Sequence, residues 1–347
     1  MNTRKFISSV LLPLVALFVS AATVYAGSEN RRGTAGAVEL LIPVGSRGSA
    51  LAGAVGPMVT GVEAIYWNPA GMVRGLNSGS GVEAMFSSLN YLADIQLNYF
   101  AIAANLGDAG ALGLSLRTLD FGEIPVTTVQ NPEGTGATFK PNYITLGLTY
   151  SRAFTDRIHG GVTAKFVSEK VVRTTASGIA LDFGVQYVSS IGLKLGVALK
   201  NLGPEMKFDG EDMETFVPLP GQEPGSRNRA VRLNGGSFEL PSTLEIGLGY
   251  DYNFADQNAV TLMGNFQNSN VGADEIRFGL EYAWNNQLFV RGGYMRLGQK
   301  NEDNIYGPSF GAGVSLPVGG TTIGFDYAYR AADFFSANQW FTLKVGF

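Results

Sequence analysis

Phe341-Thr342-Leu343-Lys344-Val345-Gly346-Phe347 is the stretch that decides the fold, because apolar and polar residues alternate along it. A period of two residues places its four apolar side chains on one face of a β-strand. At the edge of a soluble sheet, such a strand would be a template for aggregation. In a closed membrane barrel it pairs with the first strand and leaves no edge. The stretch therefore predicts a transmembrane β-barrel.

The strands that would complete this barrel follow from residue 81 onward, where short alternating segments are separated by turn residues. Each segment is near or somewhat above the ~9–11 residues that a tilted membrane strand needs. We predict fourteen strands, an even number as in bacterial single-chain barrels. They lie near 81–89, 96–106, 110–119, 142–152, 157–169, 175–188, 191–201, 241–253, 258–267, 274–284, 286–297, 307–317, 320–331 and 338–347.

The two faces of these strands differ in chemistry. In the strand 175–188, Ile179 and Phe183 alternate with Asp182 and Gln186. A soluble β-sandwich would also alternate, but it would bury its apolar face against a second sheet and would not need a charged inner face. The charged residues on the predicted inner face include Asp182, Glu245, Arg277, Glu281, Arg291 and Asp326. They favour the barrel, and we interpret them as structural ion pairs rather than as a transport path.

The connections between the predicted strands alternate in length. The long loops 120–141, 202–240 and 298–306 fall at one end of the barrel, and short turns such as 153–156 and 189–190 fall at the other. Outer-membrane barrels have short periplasmic turns and longer outer loops. The pattern predicts that the long loops face outward and that the carboxyl terminus is periplasmic.

The first residues have the pattern of a secretory signal peptide. Arg4 and Lys5 precede a largely apolar run, 6–22, and Val24-Tyr25-Ala26 fits a small-residue cleavage site. An uncleaved membrane anchor is the alternative, but the apolar run is somewhat short for a span. We predict a signal peptide at 1–26, export to the bacterial outer membrane, and a formal charge of −6 instead of −4 after cleavage. This charge does not indicate a nucleic-acid partner.

The composition excludes several kinds of site. The chain has no cysteine and a single histidine, His159. Disulfides, thiolate metal sites and cysteine nucleophiles are therefore excluded, and zinc sites and serine triads lose their usual histidine. His159 follows a predicted turn, so we interpret it as a surface residue at a strand end. The sequence predicts no catalytic residue, no metal site and no cofactor.

A segment ahead of the barrel, 27–80, lacks the pattern of membrane strands. Its small-residue run 46–54 predicts a short helix, and 61–66 predicts a second helical or extended piece. In Trp67-Asn68-Pro69-Ala70-Gly71 the Asn-Pro pair favours a turn, and Gly71 tolerates a left-handed conformation. A fourteen-stranded barrel has a lumen too wide for its own side chains to fill. We predict that 27–80 is a plug and 81–347 the barrel, because the apolar content of the segment disfavours a disordered tail.

Two runs in this segment resemble the opening of PorV/PorQ family outer-membrane proteins, which are similar to the wider FadL-like group. They are Gly45-Ser46-Arg47-Gly48-Ser49-Ala50-Leu51-Ala52-Gly53-Ala54 and Glu63-Ala64-Ile65-Tyr66-Trp67-Asn68-Pro69-Ala70-Gly71. The resemblance implies a fourteen-stranded barrel with an N-terminal hatch. Its plug motif consists of Arg47, Glu63, Trp67, Asn68, Pro69 and Gly71. One departure is Gly61-Val62-Glu63, where relatives often have an acidic pair.

The terminal stretch carries a second resemblance. Phe341 and Phe347 lie where outer-membrane barrels have the aromatic residues of their carboxyl-terminal signal. The barrel assembly machinery reads that signal. We therefore expect this machinery and outer-membrane lipid to be partners of the chain.

The family resemblance implies two classes of function. PorV-type proteins bind the carboxyl-terminal signal of exported cargo and carry it from the type IX translocon to the surface-attachment machinery, so exported proteins and secretion-system subunits would be partners. FadL-type barrels transport hydrophobic small molecules passively, so a hydrophobic compound would be the ligand. We favour the secretion role, without catalysis, and place an enzyme third. The long loop 202–240 could receive a peptide or a lipid, but we interpret it as a folded surface cap.

Overall fold

The computed structural model describes residues 31, 33–79, 81–218, 220–221, 227–255, 257–298 and 304–347. The predicted signal peptide, 1–26, lies outside these ranges. Within them, no helix is long and apolar enough to cross a membrane.

Fourteen antiparallel strands close into one barrel. The predicted count is confirmed, and every predicted strand end lies within two residues of the observed one. The strands are β1 Val82–Asn90, β2 Gln96–Asn105, β3 Ala111–Asp120, β4 Asn142–Ala153, β5 Ile158–Val171, β6 Thr174–Val188, β7 Leu193–Leu202, β8 Thr243–Ala255, β9 Asn258–Ser269, β10 Glu275–Trp284, β11 Leu288–Leu297, β12 Tyr306–Val318, β13 Thr321–Ala332 and β14 Asn338–Gly346.

The terminal stretch closes the barrel. Strand β14 pairs with β1 in an antiparallel register that runs from Glu83↔Gly346 to Asn90↔Gln339. Beyond it, the Phe347 N–H donates to Val82 O at 2.9 Å. Neither the first nor the last barrel strand is therefore left as a free edge.

The outer and inner faces of the wall alternate as predicted. Along β4, Leu146 and Leu148 are about half exposed on the outer face, whereas Thr149 and Ser151 on the inner face are fully buried. The six charged residues predicted on the inner face each have an ion-pair partner. The partners include Lys165 for Asp182, Lys200 for Glu245 and Glu275 for Arg277, and the other three are paired among themselves.

Short helices make up the segment ahead of the barrel. They are 3₁₀ turns at Val38–Leu41 and Gly61–Glu63, and helices α1 Ser46–Ala50, α2 Ala64–Trp67 and α3 Gly71–Ser78. Helix α3 was not predicted. Gly71 begins this helix and does not have a positive φ angle, so the left-handed conformation considered for it is wrong.

The core of the molecule lies between these helices and the inner wall. Helix α1 packs against β11–β14, and α3 packs against β2–β5 on another arc of the barrel. Close approach requires small residues on the wall. A Cβ atom at Gly113 would lie 2.8 Å from both Ile65 Cδ1 and Met72 Sδ. The inward-facing glycines of the strands therefore make the space that the plug occupies.

The connections give the barrel two different ends. One, which we call the turn end, carries short connections such as 154–157 and 189–192. The other, which we call the loop end, carries the loops 121–141 and 203–242. The second of these loops is folded. Its segment Met206–Gly210 pairs with the start of β6 and with Ser237–Phe238, and Glu214–Val217 forms a hairpin with Arg229–Arg232.

Candidate functional site

Six alternating charges join the plug to the wall near the turn end. Each contacts two residues of opposite charge, so that the ion pairs form a closed ring, which we call the charge ring. In order around the ring, its members are Arg47, Glu63, Lys344, Asp326, Arg291 and Glu281. Arg47 and Glu63 belong to the plug motif, and the other four project from β14, β13, β11 and β10.

Arg47 is the plug's main link to the ring. Its Nε and Nη2 atoms each lie 2.9 Å from an oxygen of Glu281, a bidentate contact across α1 and β10. Its Nη1 atom lies 3.6 Å from Glu63. Burial alone would lower the pKa of Arg47, but the charges of Glu281 and then Glu63 raise it above its ordinary range. Arg47 is therefore held in its charged form by the ring.

The wall supplies the rest of the ring. Arg291 is 2 % exposed and lies 2.5 Å from both Glu281 and Asp326. Lys344 lies 3.1 Å from Glu63 and 3.3 Å from Asp326. Buried charges are tolerated only when they are paired with good geometry. Three cations and three anions in alternation meet this condition. The ring joins the plug directly to β10 and β14, and through them to β11 and β13.

A polar cavity of about 410 Å³ lies beside the charge ring. Besides ring residues, polar and apolar side chains line it: Thr60, Glu83, Ser315, Thr322, Phe289, Val314 and Val345. The Glu83 carboxylate accepts a hydrogen bond from the Val62 N–H at 2.8 Å. Its charged and hydroxyl groups can bind water or a polar ligand.

Asn68 ties the turn of the plug motif to two strands. Its Oδ1 accepts the Ala70 N–H at 3.2 Å and so stabilises the turn itself. Its Nδ2 lies 3.2 Å from the carbonyl oxygen of Gly56, 3.3 Å from that of Val197 and 3.4 Å from that of Val185. Asn68 is completely buried. One amide thus joins the plug to β6 and β7.

Pro69 and Gly71 act through close packing. A Cβ atom at the wall residue Gly184 would lie 2.8 Å from Pro69 Cδ, so a larger residue there would displace the turn. A Cβ atom at Gly71 would lie 3.0 Å from Gln186 Nε2 and would also clash with the Val59 carbonyl. The Asn-Pro turn therefore sits directly on the β6 backbone, and the start of α3 lies against the Gln186 side chain.

Two aromatic residues of the plug are held by cations of the wall. Tyr66 and Trp67 meet edge to face with ring centroids 4.8 Å apart. Lys200 Nζ lies 4.3 Å from the Tyr66 ring centroid, and the Arg117 guanidinium lies 5.0 Å from it. The Tyr66 hydroxyl donates to Ile42 O at 3.0 Å. Cation–π contacts of this kind strengthen when they are shielded from water.

The first part of the plug, residues 33–42, reaches the loop end, and we call it the lead segment. Arg117 donates to Glu39 O at 2.6 Å and to Ile42 O at 2.9 Å. Ala35 forms a bridge with Glu239, whose carbonyl accepts the Gly36 N–H at 3.2 Å. The lead segment thus links the wall to the folded loop 203–242.

The predicted site residues fall into two places. The plug motif residues Arg47, Glu63, Trp67, Asn68, Pro69 and Gly71 all lie inside the barrel against the wall. Phe341 and Phe347 lie on the outer face, where they are 43 % and 63 % exposed. The Phe341 ring lies 5.2 Å from that of Tyr327 on the neighbouring strand.

His159 differs from its prediction. It lies at the start of β5, as expected for a strand end, but it is only 7 % exposed. The prediction of a surface position was wrong because the side chain points inward, toward the plug that fills the lumen. Among the residues that the structure describes, no three acidic, histidine or cysteine side chains are grouped so as to hold a metal ion.

The basic wall residues that contact the plug were not predicted from the sequence. Three of them contact the plug without having been predicted as site residues: Lys344, Lys200 and Arg117. The available signal was a basic residue at an inward-facing position of a strand. The alternation could place such a residue in the lumen, but it could not show which plug residue it would meet.

Comparison with known families identifies a family for the larger part of the chain. The family model described as the type IX secretion system protein PorV matches residues 26–222. No curated protein matches the chain at a significant level. The matched region includes the plug motif and the first seven barrel strands.

Several solved structures share the fold. The monoaromatic hydrocarbon channel CymD is 13% identical with a TM-score of 0.57, and the match covers 88% of this chain and 98% of that one. The Ralstonia pickettii toluene transporter TbuX is 14% identical with a TM-score of 0.52, covering 86% and 98%. The P. putida toluene transporter TodX is 13% identical with a TM-score of 0.51, covering 85% and 96%. At these identities the likeness concerns the fold alone.

Proposed function

Because the chain belongs to the PorV family of type IX secretion system proteins, we propose that it binds exported proteins and secretion-system subunits, without catalysis. It is an outer-membrane barrel of type IX secretion, and it associates with components of that system. Exported cargo, the surface-attachment machinery and, during insertion, the barrel assembly machinery are the partners that we infer beyond this.

The attachment of the plug to the wall carries the proposal. The charge ring fixes the plug near the turn end, Asn68 fixes its middle, and Arg117 fixes the lead segment near the loop end. The cavity beside the ring is lined by charged and hydroxyl groups together with apolar side chains. A barrel whose plug is bonded to the wall along its length is suited to act through its surface rather than through its lumen.

We place the cargo-binding surface at the loop end. The hairpin formed by Glu214–Val217 and Arg229–Arg232 presents Phe216, which is 67 % exposed. Leu233, next to the hairpin, is 58 % exposed. Exposed apolar side chains among charged ones are typical of surfaces that bind proteins. The interpretation of this loop as a folded cap and its proposed binding role are therefore compatible.

The proposal can be tested in cells that lack the gene and are complemented with variants. In the first variant a short Gly-Ser turn replaces the hairpin that contains Phe216. In the matched control the same turn replaces the hairpin Ile124–Pro125/Thr138–Phe139 of the other long loop. Surface display of exported proteins and co-purification of named secretion subunits are measured, with heat-modifiable gel migration as the check on barrel folding.

We expect display to be lost in the first variant and retained in the control. If the strain without the gene still displays exported proteins, and the wild-type protein enriches no secretion subunit, the proposal is wrong. The alternative role, passive transport of hydrophobic small molecules, predicts instead that uptake of hydrophobic tracers falls in that strain.

A further inference from the structure

A pair of buried carboxyl groups lies where the lead segment meets the wall. Glu39 is 3 % exposed and Glu169, on β5, is 4 % exposed. Ala37 and Leu40, on either side of Glu39, pack in one cluster with Val167, which lies two residues before Glu169 on the inner face of β5, so the two carboxyl groups lie beside each other. No N–H or O–H group of the described chain donates to either carboxylate oxygen of Glu39.

The charges around this pair do not neutralise it by a direct contact. Arg117 of β3 is the nearest cation, but its guanidinium donates to the backbone carbonyls of Glu39 and Ile42. Tyr143 of β4 faces the two carboxyl groups. From the loop end, Glu239 approaches the same segment, and it is paired with Arg31. The pair therefore has one cation nearby and no bidentate partner.

Two ionised carboxylates in contact would repel each other strongly in a buried, low-dielectric place. A single proton between them turns this repulsion into a hydrogen bond from a carboxylic acid to a carboxylate. Burial and then the neighbouring Glu169 carboxyl raise the pKa of Glu39 to about 8. The proton is thus held at a pH where an ordinary glutamate has lost it.

We propose that Glu39 and Glu169 share one proton and form a latch, which holds the lead segment on the wall and releases it when the proton is lost at alkaline pH. The inference does not depend on which cargo or subunit the barrel binds. The latch is a proton-binding site at the loop end, separate from the charge ring.

The latch lies where the lead segment contacts the folded loop 203–242, so its release would affect that loop. The lead segment carries Leu40 into an apolar cluster with Met206 and Leu240 of the folded loop. It also bridges to the loop backbone through Ala35 and Glu239. Release of the lead segment would loosen the loop 203–242 and uncover this apolar cluster. The ionisation of two glutamates would then control how much apolar surface the loop end presents.

The test uses the absence of cysteine in the chain. A spin label is attached at Val38→Cys, a position in the lead segment that is 58 % exposed and tolerates a label. The full-length protein in lipid nanodiscs is measured by electron paramagnetic resonance from pH 5.5 to 9.5. We expect the ratio of mobile to immobile label to rise up to about tenfold per pH unit and to level off above about pH 8.

Two variants in the Val38→Cys background test whether the shared proton causes the pH dependence of the label. In Glu39→Gln the amide N–H replaces the shared proton, so the label should stay immobile at every pH. Glu169→Gln should do the same from the other side, which keeps the test valid if one variant does not fold. Glu133→Gln, in the exposed loop 121–141, is the control and should keep the wild-type pH profile.

Three results would overturn the latch. They are a flat profile without the Gln substitutions, an unchanged profile in a folded Glu39→Gln or Glu169→Gln variant, and loss of the profile in Glu133→Gln. A fourth concerns a metal ion. If calcium immobilises the label at pH 9 and a chelator frees it at pH 7, then a cation rather than a proton bridges the pair.

Discussion

The plug is held at its two ends by opposite arrangements of charge. Near the turn end, Arg47 and Glu63 enter a ring in which every charge has two neighbours of opposite sign. Near the loop end, Glu39 meets a residue of its own sign, Glu169, and its carboxylate oxygens have no donor among the described residues. The barrel wall therefore holds the plug at the turn end through fully paired charges. At the loop end it holds the plug through two carboxyl groups of the same sign.

The two attachments of the plug should respond differently to a change of pH. The ring joins groups of opposite charge in alternation, so none of its contacts needs a proton shared between two like groups. A pair of like groups depends on one proton and so depends on pH. We expect the turn end to set the stability of the plug and the loop end to set its responsiveness.

The largest effect should come from breaking the ring at Arg291. In Arg291→Met, the buried Glu281 and Asp326 lose the cation between them, at 2.5 Å from each. Removing one partner of a buried ion pair costs about 3–5 kcal/mol. Denaturant unfolding of the protein in lipid vesicles should show a loss of that size. The control Arg173→Met removes exposed ion pairs at the loop end and should change stability little. A loss below about 1 kcal/mol in Arg291→Met would mean that the ring does not anchor the plug.

The second effect concerns the middle of the plug. In Asn68→Asp, a carboxylate oxygen replaces the Nδ2 group that faces the carbonyl oxygens of Gly56, Val185 and Val197. We expect a loss of about 2–3 kcal/mol from the unfavourable buried oxygen contacts. Trypsin cleavage at Arg74 should become faster in the folded barrel. The exposed turn residue Asn131 gives the control, since Asn131→Asp should change neither measurement.

The third prediction is the pH dependence of stability at the loop end. The folded-state pKa of Glu39 is raised above its ordinary value of 4.5, so the folded protein holds a proton that the unfolded chain releases. Stability therefore falls as pH rises from about 4.5 to about 8 and is constant above that range. Relative to the wild type, Glu39→Gln should gain about 1–2 kcal/mol between pH 6.5 and 8.

Two comparisons check this third prediction. Unfolding midpoints of wild type and Glu39→Gln are measured at several pH values in the same vesicles. Substitution of the exposed loop residue Glu133 by Gln should leave the wild-type dependence unchanged. A constant difference between wild type and Glu39→Gln across the range would contradict the prediction.

The sequence predicted the wall better than the contacts inside it. Alternation in stretches such as 341–347 and 175–188 is a local property, so it located the strands and their faces. The plug motif could be recognised because the resemblance concerns a continuous run. Its residues lie inside the barrel, and their functional role stays a prediction. Helix α3, Gly71–Ser78, was not predicted, because its few residues include two glycines and form a helix only against the strands that surround it.

The partners of the plug could not be predicted for a different reason. Arg47 and Glu281 are separated by more than two hundred residues, and Glu39 and Glu169 by more than one hundred. Which inward-facing residue meets which plug residue depends on strand register and on the depth of the plug. Neither quantity is encoded by the pattern of a single strand. The charges of the inner face were therefore predictable as a set, but their pairing was not.

The smallest effect should come from removal of the Tyr66 hydroxyl. This group connects the lead segment at the loop end to the part of the plug near the charge ring. It donates to Ile42 O at 3.0 Å and so links α2 to the lead segment. In Tyr66→Phe the ring stays between Lys200 and Arg117, and Arg117 still donates to the same carbonyl. Only one neutral hydrogen bond is lost, so stability should fall by about 0.5–1.5 kcal/mol.

Tyr150→Phe makes this last prediction sharper. The Tyr150 hydroxyl also donates to a backbone carbonyl, that of Ala109, but it lies on the outer face of the wall. Both variants should lose a similar amount of stability in denaturant unfolding, because each loses one hydroxyl-to-carbonyl bond. Only Tyr66→Phe should increase the mobility of a label at Val38→Cys, because only Tyr66 connects the lead segment to the part of the plug that the ring holds. Equal mobility in the two variants would mean that the lead segment is held by Arg117 and the carboxyl pair without help from the anchored end.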